Sequence, residues 1–362
     1  MNRPLCLLTT VALALPAAAQ TPSSTVRIGA FADAYYTWDV GRPALRDRAF
    51  ATQAVRHDEF NVNLAHIEAS LSGERVRGRL ALQAGTSVQA NYAGEPAIGS
   101  NSGPTLSRSI QEAVVGVRVR PGLWVDGGVF FSHIGQGSWI SRDNPTYTRS
   151  FTAEYTPYYS SGVKVTWAAS PKVTAQLHLL NGWQNISENN ERKAVGARVD
   201  WTPRAGIALG WAGFRGDEQP EAGARRTRNF HQLFARLEPA TDLTLWLTAD
   251  RGWERPESGS TATWGSLTAI AERRLSPTVS LAARVERYVD RDGVLIPVPD
   301  PAGFDVTSAS VGLNLRLPEG IQWRTEARGY WSDGAVWPDR LSSRRHTAAL
   351  VTSLSLTFAA AP

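Results

Sequence analysis

Apolar and polar residues alternate along most of the chain. From Val76 to Val88, one side carries Val76, Gly78, Leu80, Leu82, Ala84 and Val88, and the other carries Arg77, Arg79, Gln83 and Ser87. Val173, Ala175, Leu177 and Leu179 alternate with Thr174, Gln176 and His178, and Leu350 to Phe358 repeats the pattern. A period of two belongs to a strand with two unlike faces, and helical spacing is scarce. Sixteen such segments can be drawn, near 26–38, 60–71, 76–88, 110–120, 123–134, 158–168, 173–182, 194–202, 207–215, 229–238, 243–252, 263–275, 279–288, 304–317, 321–331 and 346–358. The second changes phase near Ala65, which predicts a bulge.

The connections alternate in length. Ser72–Arg75, Pro121–Gly122, Ala169–Lys172, Pro203–Gly206, Pro239–Asp242, Ser276–Thr278 and Pro318–Gly320 are short and rich in turn formers. Between them run long polar links such as 39–59, 89–109, 135–157 and 289–303. Short turns at one end and long loops at the other are the arrangement of an outer-membrane barrel, with the short end periplasmic. In that register Tyr36, Trp38, Phe60, Phe131, Trp211 and Trp331 project outward near the upper rim, and Trp167, Trp201, Trp323 and Phe358 near the lower one. Such girdles suit the two membrane interfaces. Trp246 and Phe234 project inward and break the girdle pattern. The fold class is therefore all-β: a transmembrane antiparallel up-and-down barrel of about sixteen strands, wide enough for an aqueous channel.

Composition agrees. Mean hydropathy is -0.25, and no run after Gln20 approaches the roughly 18 apolar residues of a membrane helix. Arg3, the apolar stretch Leu5–Leu15 and Ala17–Ala19 form a secretory leader, so residues 1–19 are read as a cleavable signal and 20–362 as one barrel. The only cysteine, Cys6, lies inside that leader, leaving no disulfide or thiol chemistry in the mature chain. The 38 basic and 33 acidic residues are interleaved rather than patched, which argues against nucleic acid.

The middle of the chain carries more particular motifs: Phe130–Gln136 (FFSHIGQ), Asn144–Ser150 (NPTYTRS), Pro157–Val163 (PYYSSGV), Asn181–Gln184 (NGWQ), Glu188–Asn190 and Lys193. Over roughly residues 120–202 these resemble the OmpL-like outer-membrane β-barrel porin family. The resemblance implies a barrel and porin-like transport, and names no substrate. Members of such barrels usually end on the aromatic residue that the assembly machinery reads. Here LSLTF ends at Phe358 and four residues follow.

The inward face is charged. Arg27, Arg77, Arg79, Arg118, Arg120, Arg198, Arg284, Arg316, Arg324 and Arg328 are expected to face the lumen, with Asp33, Glu68, Glu112, Asp126, Asp200, Asp250, Glu286 and Glu326. They read either as a wall that tunes ion preference, weakly toward anions, or as ion-pair ladders that stiffen a polar interior. The third long link, Gly135–Tyr159, is either a surface loop or a constriction presenting Arg142, Asp143, Arg149 and Glu154. The loop Asn181–Asn190 reads as turn-capping asparagines rather than a binding site. The histidines are dispersed, and neither HExxH nor GxSxG occurs. Ser132 and His133 are neighbours on a strand and so point to opposite faces.

The expectation is a non-enzymatic channel for small hydrophilic solutes in the bacterial outer membrane, without cofactor. Its partners would be membrane lipid, the assembly machinery acting on the strand ending at Phe358, and further copies of itself. A surface adhesin or anchor, and a barrel enzyme acting on lipid, are the alternatives.

Overall fold

The computed structural model describes residues 24–257, 259–340 and 342–359. The leader read at 1–19 lies outside the described residues. Sixteen strands close one antiparallel barrel. They are β1 (Thr25–Asp39), β2 (Phe60–Ser72), β3 (Val76–Ala84), β4 (Ile110–Arg120), β5 (Leu123–Phe131), β6 (Tyr159–Ser170), β7 (Val173–Leu180), β8 (Ala194–Arg204) and β9 (Ile207–Asp217). Then follow β10 (Arg226–Ala240), β11 (Leu243–Pro256), β12 (Ala262–Arg274), β13 (Val279–Asp290), β14 (Phe304–Arg316), β15 (Ile321–Ser332) and β18 (His346–Ala359). A short hairpin of β16 (Trp337–Asp339) and β17 (Ser342–Arg344) interrupts the last long loop. Each strand pairs with its neighbours in sequence, and β18 closes on β1 from Gly29 opposite Ala359 to Asp39 opposite Ala349.

The predicted strands are all present, with differences at their ends. Strand three stops at Ala84, and the segment expected to continue to Val88 turns into the helix α1 (Thr86–Tyr92). Gly85, at φ 139°, makes the break, and Ser87, Val88 and Tyr92 are buried. Strand five stops at Phe131 rather than 134, because the chain there turns into the lumen. The bulge expected near Ala65 falls two residues earlier. Asp33 pairs with Leu64 and Ala34 with Val62, leaving Asn63 as the extra residue.

Burial is the inverse of a water-soluble protein. Outward positions such as Ile28, Val115, Leu177, Leu267, Val285 and Leu354 are apolar and exposed, as a lipid-facing band requires. Inward positions such as Asp33, His66, Arg284, Glu286, Arg324 and Glu326 are polar and buried. Trp167, Trp201, Trp323 and Phe358 lie exposed near the periplasmic ends of their strands, and Phe60 and Trp331 near the other ends. Trp246 and Phe234 do face inward: Arg236 stacks over the first ring at 5.1 Å and Arg198 over the second at 4.6 Å. Among the described residues no helix is long and apolar enough to cross a membrane.

The long-loop half of the barrel is filled. Phe151, Trp183, Phe214, Phe230, Trp264, Tyr288 and Phe304 belong to one buried apolar cluster, and Phe31, Tyr92, Trp139, Tyr158 and Tyr159 to a second. Wall and loop residues mix in both.

On β5 and β6, Gly128 and Gly162 oppose each other at φ 131° and 153°. A Cβ at either would sit 2.0 Å from a carbonyl of the adjoining strand. Gly162→Val is therefore expected to destabilise the barrel by at least ~1–3 kcal/mol of backbone strain, read as a lower urea midpoint or as loss of the fast-migrating unheated band on gels.

Candidate functional site

The third loop, residues 132–158, folds into the barrel and crosses it. Arg198 of β8 donates to the carbonyls of His133 and Gly135 at 2.8 Å, holding the root of the loop. Gln136 then donates to Thr248 Oγ1 on β11 at 2.8 Å. A 3-10 turn, Ser141–Asp143, brings Ser141 Oγ to Asp33 at 2.7 Å, where Tyr147 and Asn63 also donate. Asp33 thus collects donors from the loop and the β2 bulge on one inward carboxylate of β1.

Beyond the turn the loop lies on β12–β15. Glu326 accepts from Thr148 N at 2.7 Å, and Glu286 from Phe151 N at 2.7 Å. Arg284 donates to the Thr148 carbonyl at 2.7 Å and Arg328 to that of Arg149 at 2.8 Å. Arg324 donates to Asn314 Oδ1 and to the carbonyls of Ser141 and Asn144. The four charges Arg284, Glu286, Glu326 and Arg328 pair among themselves, from 2.5 Å for Arg328–Glu286 to 3.3 Å for Arg284–Glu286. Buried charges are tolerable only when paired and hydrogen-bonded, and here strand and loop supply those partners to each other. Ser150 caps the single turn α3 (Phe151–Glu154) by accepting from Ala153 N.

This geometry sorts the residues read as channel lining. Asp33, Arg284, Glu286, Arg324, Glu326 and Arg328 face inward but are buried under the loop, so no open lumen reaches them. The sequence pattern expects them to line an open channel, but alternation gives a residue's face and says nothing of what covers it. Asp250 is also inward, opposite Gln232, and makes no ion pair among the described residues.

The rest sit toward the periplasmic end. Arg77 holds Asp126 through two bonds of 2.6 and 2.5 Å. Arg79 bridges Glu68 and Glu112. Arg198 pairs with Asp200 at 2.7 Å, Arg316 with Glu272 at 3.7 Å and Arg118 with Glu74 of the adjoining turn at 2.9 Å. Arg27 and Arg120 are exposed at the lower rim. A cavity of about 370 Å3, lined by Arg77, Arg79, Asp126, Lys164, Thr166 and Gln176, opens along β3–β7.

In the loop itself, Arg142 donates to Thr357 Oγ1 at 3.0 Å and lies 3.5 Å from Asp143. Arg149 and Glu154 are buried. Glu154 accepts from Thr52 and, at 3.0 Å, from Tyr158.

Other contributions were not read from the sequence. The first long loop also folds inward: Arg48 reaches Asp39 at 3.2 Å and the Tyr330 hydroxyl at 3.2 Å, and Gln53 donates to the Trp139 carbonyl at 3.1 Å. Glu95, in the second loop, accepts from the Tyr159 hydroxyl and from Ile186 N and Ser187 N of the fourth. Burial pushes that carboxyl above its usual range. Lys164, the inward lysine of β6, lies 4.6 Å over the Phe130 ring and makes no ion pair among the described residues. The Asn181–Asn190 loop bonds to itself and to its neighbour, Asn181 to the Ile186 carbonyl and Asn190 to those of Asp217 and Gln219. His133 stacks on His178 at 4.3 Å, while Ser132 Oγ accepts from Ile134 N.

The comparisons agree with this architecture. The family model described as "Putative beta-barrel porin-2, OmpL-like" matches residues 25–359. Among solved structures, the chain is similar to an anion-selective porin from Comamonas acidovorans at 8% identity, TM-score 0.62, covering 92% of this chain and 100% of that one. It is similar to a loop L8 deletion mutant of OmpT, an outer membrane protein of Vibrio cholerae, at 10% identity and TM-score 0.60, covering 92% and 99%. The outer membrane channel DcaP of Acinetobacter baumannii matches at 11% identity and TM-score 0.59, covering 93% and 97%. At these identities the likeness is one of fold. No curated protein matches the sequence.

Glu326→Ala removes the carboxylate that Arg284 and Thr148 share. The expected cost is about 3–5 kcal/mol, the penalty of leaving a buried charge unpaired. The loop should also become cleavable by protease near residues 145–152 while the barrel still resists. A variant as stable and as resistant as the parent would contradict the assignment of Glu326 as the loop's anchor.

Proposed function

Because this chain belongs to the OmpL-like beta-barrel porin-2 family, we propose that it is a passive, non-enzymatic channel for small hydrophilic solutes, constricted by its third loop and weakly selective for anions. A porin-family barrel of this fold is an outer-membrane channel of bacteria.

One observation carries the charge preference. In the periplasmic half of the lumen most wall acids are matched, Glu68 and Glu112 by Arg79, Asp126 by Arg77, Asp200 by Arg198, Glu238 by Arg236 and Glu272 by Arg316, with Asp250, opposite Gln232, the exception. Arg27, Arg120 and Lys164 have no carboxylate within 4.0 Å among the described residues. The vestibule is left positive, and low-dielectric walls concentrate that potential on a passing ion. Matched pairs stiffen the wall, and the unmatched cations set the sign.

The filled long-loop half favours a narrow passage. It is also what an anchoring barrel without transport would show, and that is the second reading. In either, residues 1–19 direct export, the strand ending at Phe358 meets the assembly machinery, and copies can associate. An enzyme reading has less support: the Ser132 hydroxyl and the stacked His133 ring are each engaged elsewhere.

Two measurements on refolded protein in planar bilayers test the proposal. In a salt gradient, discrete steps with a reversal potential on the anion side are expected, and Lys164→Glu with Arg120→Glu should move it toward cations. A cation-side potential in the parent would overturn the charge assignment, and a silent bilayer from folded protein would favour the anchor. Deleting residues 138–148 should raise the single-channel conductance; unchanged conductance would remove the third loop as the constriction.

A further inference from the structure

Between the third loop and the inward faces of β10–β12 lies a cavity of about 190 Å3. Trp246 and Ile270 form part of its wall from the periplasmic halves of β11 and β12, and Arg149 lines it from the loop. It is smaller than the roughly 300–1,000 Å3 of sites for drug-sized molecules, so its occupant is small.

Arg149 is unlike the other buried arginines. Arg48 pairs with Asp39, Arg228 with Glu254, and Arg284 and Arg328 share Glu286. Arg324 has no ion pair, but its Nε, Nη1 and Nη2 each donate to an oxygen. Arg149 is 3% exposed, has no carboxylate within 4.0 Å among the described residues, and its Nε has no hydrogen-bond partner. Its remaining contacts are a long one to Thr52 Oγ1 at 3.4 Å and one to the Trp139 carbonyl at 3.1 Å. The Trp139 and Tyr158 rings hold the guanidinium, their centroids 4.7 and 3.6 Å away. Gln232, fully buried on the same wall, has no partner for either its Oε1 or its Nε2, and the latter is a donor left free for an anion.

The carboxylate of Glu154 is reached only through the Thr52 hydroxyl. A buried guanidinium without a directly bonded counter-charge is costly, and ring faces return only part of that cost. A cation left short beside a cavity calls for an anion in it. The apolar wall at Trp246 and Ile270 asks that the anion carry a hydrophobic body. A single guanidinium, with no second cation lining the space, suits one negative charge better than a phosphate.

We infer that this cavity binds a small organic monocarboxylate, its carboxylate against Arg149 and its apolar body against Trp246 and Ile270. The inference names a solute class for the proposed channel and rests on that reading for its purpose, with the cavity as a station beside the passage. Its test does not need a bilayer.

The experiment is calorimetric titration of the refolded barrel in detergent with benzoate, and with benzyl alcohol as the uncharged analogue. Benzoate should bind and benzyl alcohol at least about tenfold more weakly, the worth of one charged hydrogen bond. Arg149→Gln should bring benzoate down to the level of the alcohol. Ile270→Trp, which fills the cavity and leaves the loop's contacts alone, should abolish binding of both. Heat-dependent gel migration verifies that each variant is folded. Equal binding of the two probes, unchanged benzoate binding in either variant, or no binding to the folded parent would each overturn the site. A parent that conducts but does not bind benzoate sinks this inference alone, whereas one that binds benzoate but is silent in bilayers sinks the channel and leaves the site.

Discussion

Closure of the sheet is the constraint on which everything else depends. In hydrocarbon an unpaired N–H or C=O has no water to turn to, so each spanning strand needs a neighbour on both sides. The register of β18 on β1, unbroken from Gly29–Ala359 to Asp39–Ala349, removes the last free edge. Once the sheet is closed, every strand has one face in lipid and one in the lumen, and the period-two pattern follows. The turns at one end can be tight because antiparallel neighbours need only a hairpin. The chain's remaining length is left to the other end, where it can reach back into the barrel.

A barrel of this width cannot be filled by its own wall. Side chains from opposite strands of a sixteen-stranded cylinder do not meet, so the lumen is either water or borrowed chain. Here the loops at one end supply the chain, and the wall meets them unequally. On β12–β15, Arg284, Glu286, Arg324, Glu326 and Arg328 grip backbone groups of residues 141–151. On β3–β7, Arg77, Arg79 and Lys164 have no loop over them and border open space. The same residue type therefore does two jobs, decided by which side of the barrel it occupies.

The wall was legible in the sequence and its filling was not. Alternation is a local, one-dimensional signal, and it placed all sixteen strands, the phase slip beside Asn63 and the inward direction of Trp246 and Phe234. It failed at Val88, where a one-turn-longer apolar run continued as α1 rather than as strand, because Gly85 redirects the chain and the pattern cannot see a backbone angle. It could not tell Arg77, beside an open vestibule, from Arg328, sealed under the third loop, since both are charged residues at inward positions. That difference is made by contacts spanning about 180 residues, such as Thr148 with Glu326. A partial signal was present: residues 139–159 are richer in Trp, Tyr and Arg than a solvated loop needs, and such residues are at home where a polar group is buried among rings.

The path of the third loop is also prepared by what the wall lacks. Inward positions on β8 and β9 include Gly196 and Gly210, and a Cβ there would meet the His133 ring at 2.4 Å and the Phe234 ring at 2.1 Å. Those rings lie against bare backbone, and Arg198, between the two strands' glycines and stacked on Phe234, reaches up to the carbonyls of His133 and Gly135. The loop is thus admitted at a wall kept thin by glycine and gripped at a wall crowded with charge. A loop with only the second feature would have no room to enter, and one with only the first would have nothing to hold it across the lumen. The two together fix the loop across the lumen as part of the barrel's packing rather than as a flap hung over its mouth.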